Sequence, residues 1–343
     1  MKIITFGEIM MRLSPPDFKL ISQSNELRMT FGGGEANVAA SLANWGETAE
    51  FVTTLPSNAI GDACLRFLRK NYIGTGNICL REGRIGLYFV EQGAAQRPSK
   101  VIYDRKDSTF GIAPTENYCW TSIFTGADWF HWSGITPAVS EEAWVNVKNA
   151  IKEATAQGVQ ISCDMNFRKK LWKWGMTAKE VMPDLIKDCD VLIGNEEDAD
   201  KVLGINAPNT DVNRGLVESK NYVHVLREIK RQYPNLKTIA ITLRSSISAT
   251  HNLWSSIMLH DDQVYESKKF DIDFIVDRIG SGDAFSSGLI YALGRQEDNP
   301  QNILEYATGA SALKHSIVGD FNLVSIDDVK QLISGDGSGR VVR

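Results

Sequence analysis

Cysteine is scarce in this chain of 343 residues, basic charge is not in surplus, and long apolar runs are missing. The five cysteines (Cys64, Cys79, Cys119, Cys163 and Cys189) stand far apart, are odd in number and form no CxxC pair. That disfavours a disulfide framework or a thiolate zinc site. It fits reduced thiols in a cytoplasmic protein, most of them small core residues. Lys and Arg total 37 against 42 Asp and Glu, a net charge of −5, whereas a sequence-independent nucleic-acid binder wants a basic surplus. No stretch approaches the roughly 20 apolar residues of a membrane span. Met1–Glu8 is too short for a signal-peptide core and reads as a first strand. Several motifs are absent as well. Without GxxxxGK[ST] the chain is no Walker-type ATPase, and without HRD and DFG it is no protein kinase. The lack of GxGxxG after the first strand weakens a nicotinamide dehydrogenase, and HExxH and GxSxG are missing too.

What is present is alternation. Strand-length apolar runs at Ile3–Phe6, Glu50–Thr54, Ala127–Trp132, Val159–Asp164, Val191–Gly194 and Thr238–Thr242 are separated by helix-length amphipathic runs. The helices are expected at Glu35–Trp45, Ala59–Tyr72, Glu141–Ala156, Ala178–Lys187, Glu196–Leu203 and Val223–Gln232. Three more follow at Asp283–Leu293, Ile303–Ile317 and Ile326–Ile333. Such a pattern implies a parallel sheet covered on both faces, with ligands at the carboxyl ends of its strands. Leu20–Phe31 and Ile85–Arg105 break the pattern with β character and no helix, as a lid, a dimer surface or an edge hairpin would.

Two glycine-rich segments carry the chemistry. In IVDRIGSGDAF (Ile275–Phe285), Gly280, Ser281 and Gly282 lead into a helix starting near Asp283. Glycines let the backbone approach a ligand, and a helix start offers unpaired N–H groups and a positive dipole end, which together suit a phosphate. Asp283 at that mouth either caps the helix or takes a proton from an incoming hydroxyl; spacing leaves both open. In FGGGEANVAASLANWG (Phe31–Gly46), Gly33 and Gly34 precede a helix carrying Asn37, suited to a polyhydroxy ligand or to an ordinary glycine turn.

Taken as a pair, in this order and about 245 residues apart, these segments resemble the motifs of the ribokinase-like (PfkB-type) carbohydrate kinases. Gly33, Gly34, Asn37, Ala39 and Gly46 match the early motif, and Asp277, Gly280, Gly282, Asp283, Ser287 and Gly288 the late one. Within that family, GEIMMRLSPP (Gly7–Pro16), VIYDR (Val101–Arg105), DMNFR (Asp164–Arg168) and LKHSIVGDFNLVS (Leu313–Ser325) resemble the 2-keto-3-deoxygluconate kinases. The resemblance implies a three-layer α/β/α core with a mainly parallel sheet and a small β-sheet lid. It implies one kinase domain over residues 1–334, a lid from about 11–31 and 84–106, and a flexible tail at 335–343.

It also implies ATP-dependent phosphorylation of the terminal hydroxyl of a sugar acid, 2-keto-3-deoxygluconate to its 6-phosphate. The partners are small molecules, with neither nucleic acid nor membrane, and the lid implies a homodimer or higher oligomer. Asp283 matches the catalytic base and Gly280, Ser281 and Gly282 the anion hole. Gly33, Gly34, Asn37, Tyr88, Tyr103, Arg105 and Arg168 match the sugar side. Asn166, Asn195, Thr242 and Arg244, in a loop over Thr242–Ile247, match the nucleotide side with Gly280 and Gly282. ATP comes with Mg²⁺, reached by Asp198 through water, and Asp277 matches a holder of a monovalent cation such as K⁺. The chain departs from the family at Pro56, Arg244 and Arg278, and at Asp198, where a glutamate is usual.

The side chains bear on substrate charge independently. A guanidinium matches a carboxylate with two parallel hydrogen bonds, so Arg105 and Arg168 with Tyr88 and Tyr103 favour an acidic sugar. Surface pairing of these arginines with Asp104, Asp107 or Asp164 is the bland alternative. A neutral-sugar kinase such as a fructokinase, and a catalytically silent sugar- or nucleotide-binding module, are the competing functions.

Overall fold

The computed structural model describes residues 1–207 and 219–335; most of the expected tail, 336–343, lies outside the described residues. In chain order the strands are β1 (Lys2–Phe6), β2 (Met10–Ser14), β3 (Arg28–Gly32), β4 (Thr48–Pro56), β5 (Ile78–Arg81), β6 (Leu87–Glu91) and β7 (Lys100–Asp104). They continue with β8 (Trp129–Ser133), β9 (Gln160–Asp164), β10 (Val191–Asn195), β11 (Thr238–Ser248), β12 (His251–His260), β13 (Gln263–Glu266) and β14 (Phe270–Ile272).

The main sheet runs β13-β12-β11-β10-β9-β8-β1-β4-β5, with β14 against β12. From β5 to β11 every pairing is parallel; β12 turns back antiparallel on β11. Alternate side chains of each strand feed two apolar cores, as a sheet covered on both faces requires. Ile4, Phe130 and Leu192 pack on one side with helices Glu141–Ala156, Ala178–Ile186 and Lys220–Gln232. Ile3, Trp129 and Val191 pack on the other with helices Gly34–Asn44, Ser281–Gly294 and Pro300–Lys314. The helix Glu141–Ala156 has the expected bounds because Ser140 caps it, its hydroxyl accepting from Ala143 N–H at 3.1 Å.

A separate four-stranded sheet, ordered β3-β2-β6-β7, stands over the strand ends; β3, β6 and β7 come from the two segments that lacked helices, and β2 precedes them. Its inner face presents Met10, Tyr88 and Tyr103 to the pocket.

Three expectations need correcting. Thr242–Ile247 is not a loop, because β11 continues to Ser248 and pairs with β12 along its length. The strands β12, β13 and β14 were not foreseen. The acidic helix over Glu196–Leu203 shrinks to a wide turn at Ala199–Leu203, since Asp198 binds backbone N–H groups before it. All five cysteines are free thiols, and Cys64, Cys163 and Cys189 are buried. No helix among the described residues is long and apolar enough to cross a membrane.

Candidate active site

A cavity of about 370 Å³ opens where β8–β11 end and the small sheet overhangs. The glycine-led starts of helices Gly34–Asn44 and Ser281–Gly294 meet there.

Asp283 sits where they meet. It makes no capping bond to its own helix, whose cap position is taken by Gly280 in a left-handed conformation (φ +85°). That removes one of the two roles left open by spacing. Asn37 Nδ2 donates to Asp283 Oδ2 at 2.6 Å, and Asn37 Oδ1 accepts from Gly33 N–H at 3.2 Å, which fixes the amide's orientation. Oδ1 lies on the side of Gly34, where a Cβ would come 3.5 Å from it; a glycine there keeps the carboxylate accessible. Burial pushes the Asp283 pKa up to about 7, and the nearby charges of Glu35 and Asp320 push the same way. The Asn37 hydrogen bond and the charge of Arg168 oppose the rise.

The anion hole is built by exclusion. A Cβ on Gly280 would fall 2.1 Å from the Asp320 carbonyl oxygen, so only glycine fits, whereas one on Gly282 would meet nothing within 4 Å. The Ser281 N–H turns back to the Arg278 carbonyl at 3.4 Å, while the Gly282 and Asp283 N–H groups have no intrahelical acceptor. Ser281 is tied back instead, its hydroxyl donating to the Arg278 carbonyl at 3.0 Å.

Across the strand ends lies an acidic wall. Asp164, at the end of β9, is buried, and its pKa is raised well above the carboxylate range by burial and then by Asp198 and Asp283. Asp198 accepts from Asn195 N–H at 2.8 Å and Phe167 N–H at 3.0 Å, stitching the ends of β9 and β10 together. Asn166 is held in a left-handed conformation (φ +38°), with its N–H on Asp164 Oδ1 at 3.2 Å. Asn195 and Thr242 line the same wall, with Arg244 and Arg278 beyond them. Arg244 reaches Glu196 at 3.4 Å, and Arg278 donates to the Ala249 carbonyl at 2.7 Å.

On the small-sheet side, Tyr88 donates to Asp320 Oδ2 at 2.5 Å and stacks on Tyr103 with ring centroids 6.3 Å apart. Arg168 is exposed at the rim, bound only locally through Nη1 to the Phe167 carbonyl at 3.0 Å.

The pocket thus brings together Gly33, Gly34, Asn37, Tyr88, Tyr103, Asn166, Arg168, Asn195, Asp198, Thr242, Arg244 and Gly280–Asp283. Two expected residues are not among them. Arg105 is buried outside the lining, its guanidinium held by Glu8 Oε2. Asp277 is buried behind the lining on Arg12, at 2.8 Å, rather than open to a cation. Asp164, Glu196, Arg278 and Asp320 join the lining without having been assigned a role. Asp320 had a faint signal, a lone acid after Gly319 in an apolar ending.

Such a pocket, with a carboxylate poised between a glycine-backed polar cleft and an uncapped helix start, belongs to a carbohydrate kinase. The pfkB family carbohydrate kinase model matches residues 1–321, and the chain belongs to that family. Among its relatives, the 2-dehydro-3-deoxygalactonokinase of Haloferax volcanii is 30% identical over 338 residues, covering 98% of each chain. The 2-dehydro-3-deoxygluconokinase of Thermoproteus tenax is 24% identical, covering 84% of this chain and 80% of that one. The crystal structure of 2-dehydro-3-deoxygluconokinase from Thermotoga maritima superposes with a TM-score of 0.92 at 47% identity, covering 98% of this chain and 100% of that one.

Proposed function

We propose that this kinase transfers the γ-phosphoryl group of ATP to the terminal hydroxyl of a 2-keto-3-deoxy sugar acid, 2-keto-3-deoxygluconate or its C4 epimer. The observation that carries the reading is Asp283, with one oxygen anchored by Asn37 and the other beside Gly34, next to the unpaired amides of Gly282. Two similar proteins bear the names of kinases for these two acids, which points to the same substrate class.

The sugar acid lies under the small sheet with its carboxylate on Arg168 and its hydroxyls near Asn37, Tyr103 and the Gly33–Gly34 backbone. The terminal O–H gives its proton to Asp283 as its oxygen bonds to the γ-phosphorus. The bond from that phosphorus to the bridging oxygen breaks, and ADP leaves with the electron pair. The amides at Gly280–Gly282 are fixed before the reaction, so they stabilise the charge on the transferring group without reorganising. ATP reaches the hole along Asn166, Asn195 and Thr242, with Arg244 and Arg278 offering a doubly cationic stretch for its phosphates.

Hard carboxylate oxygens at Asp164, Asp198 and Glu196 on one wall suit Mg²⁺, which keeps most of its water and arrives with nucleotide phosphates. No cluster of three or more His, Cys, Asp or Glu among the described residues forms an all-protein cage. When bound, the ion would neutralise phosphate charge. Asp198 would touch it only through water, because both its oxygens already accept backbone N–H groups.

A second copy of the chain covers the outer face of the small sheet. Met29, Leu13, Phe89 and Ile102 lie in register in one row across its four strands, and Met29 and Ile102 are 53% and 52% exposed. An apolar row of that kind on a thin sheet calls for cover. The five free thiols fit the reducing cytoplasm.

The test is a panel of both epimeric 2-keto-3-deoxy acids, gluconate, fructose and ribose with ATP and Mg²⁺, read by product mass. Phosphorylation of an acid at its terminal carbon supports the reading. Preference for fructose or ribose overturns the substrate class, and bound ligand without product overturns the reaction.

A further inference from the structure

Lys314 is the last residue of helix Pro300–Lys314, and none of its surface reaches solvent. Burying an ammonium is unfavourable unless opposite charge faces it. Its Nζ donates to the Ile317 carbonyl at 3.1 Å; burial pushes its pKa down, and the charges of Asp277 and Asp320 oppose that fall. The place is specific: a Cβ on Gly280 would come 3.4 Å from Lys314 Cε, so the lysine stands directly behind the anion hole. Ser311, one turn earlier, donates to the Ser281 carbonyl at 2.7 Å and locks the two helices together there.

Arg12 completes the cluster, bridging Asp277 at 2.8 Å and Asp320 at 2.7 Å. This is where the family resemblance implies a monovalent cation on Asp277, and the residues present do not fit one. Asp277 Oδ2 accepts from Arg12 and from Gly319 N–H at 3.2 Å, and Oδ1 accepts from Ile279 N–H at 3.1 Å. Arg12 already pairs with both carboxylates, and the buried Lys314 side chain stands behind the same turn. A further positive ion would have no charge to meet and two to repel it.

We propose that Lys314 is a positioning residue whose built-in ammonium, with Arg12, supplies the positive charge behind the Gly280–Gly282 amides, so that phosphoryl transfer requires no K⁺ or Na⁺. The charge acts through the amides and the Gly280 turn, not by touching substrate. This rests on the reading of Gly280–Asp283 as the phosphoryl-transfer site.

The experiment is an exchange of monovalent cations on the intact enzyme. Initial rates are measured with Mg²⁺ and saturating substrates in tetramethylammonium, sodium, potassium or ammonium chloride at equal ionic strength. Rates within about twofold of one another are expected, because the preorganised charge is already in place. Stimulation of about fivefold or more by K⁺ overturns the inference. Lys314→Ala gives an independent readout. Its kcat should fall roughly 10–100-fold with both KM values little changed, as for loss of one electrostatic contribution to the transition state. Ammonium or K⁺, entering the vacated space, should restore part of that kcat. An unchanged kcat overturns the inference, as does a loss that no cation reverses and that raises both KM values. If the variant does not fold, the exchange on the wild-type protein decides alone. Failure of the phosphoryl-transfer reading would look different, as no turnover of any acceptor in any salt.

Discussion

The two helix starts that meet at the pocket lie far apart in the chain, read alike in sequence, and are opposite in use. Both are glycine-led and both enter buried helices. At Gly33 the backbone is extended, and a Cβ would strike the Glu8 carbonyl oxygen at 2.1 Å, so glycine serves packing. The polar groups that follow are side chains: Asn37 toward Asp283, and Glu35 accepting from the Ser133 and Thr136 hydroxyls at 2.7 and 2.6 Å. Glu35 spends its carboxylate on those two hydroxyls and on the Ser133 N–H, so protein groups already occupy the mouth of this start. At Gly280 the turn is left-handed, no side chain caps the helix, and Gly282 opens onto empty space. Neither start has a side-chain cap; one is crowded by protein side chains and backbone, and the other opens at Gly282 onto space that a phosphate can enter. A glycine run therefore says little about ligand charge until one knows what answers the amides.

The contrast can be broken at several points. Asp283→Asn should lower kcat by a factor of ~10²–10⁴ while both ligands still bind. ADP-release rates with isothermal titration check this, and near-normal turnover would remove the base. Gly282→Ala adds a methyl in open space, so it should fold with an unchanged melting temperature yet lose roughly 100-fold in kcat where the phosphoryl group must sit. Gly280→Ala should behave in reverse, unfolding at lower temperature because the methyl meets backbone at a positive φ. If Gly282→Ala is as active as wild type, the hole is elsewhere.

Arg168→Ala should raise KM for an acid sugar about 10–100-fold and leave a neutral sugar nearly unaffected, as loss of a charge-assisted contact would. Equal effects on both sugars would sink the carboxylate partner. With Asp283 pushed up to about 7, the protonated, inactive form persists to higher pH than for an ordinary carboxyl. The free-enzyme kcat/KM should then fall about tenfold per unit below that point and level off above it.

The smallest effect is on stability. A carboxyl whose folded pKa lies above its unfolded value contributes stability at low pH, and that contribution is lost as pH rises through the folded pKa, here about 7. Without ligands, Asp283→Asn should therefore melt a few °C, roughly 2–6, above wild type at pH 8 and converge with it toward pH 4.

Much of the architecture is legible because local signals agree. Ser140 before an amphipathic run marks one helix, and apolar runs such as Val191–Gly194 mark strands buried on both faces. The β12–β14 region escapes because HNLWSSIMLH mixes polar and apolar residues without clean alternation, and pairing with β11 decides it. The site's glycines and Asp283 are legible as motifs. Their backing is not: Glu8, Arg12, Asp320 and Lys314 look like surface charges in a string, and only the fold shows them paired and buried. Arg105 shows the same limit from the other side, since no spacing rule reveals that Glu8 takes its guanidinium first.

Asp320 fastens three parts at once. Its carboxylate holds Arg12 of β2 and Tyr88 of β6, and its own carbonyl abuts Gly280. The anchor that holds Tyr88 under the small sheet is therefore the same residue that forces glycine at the turn shaping the phosphate cradle.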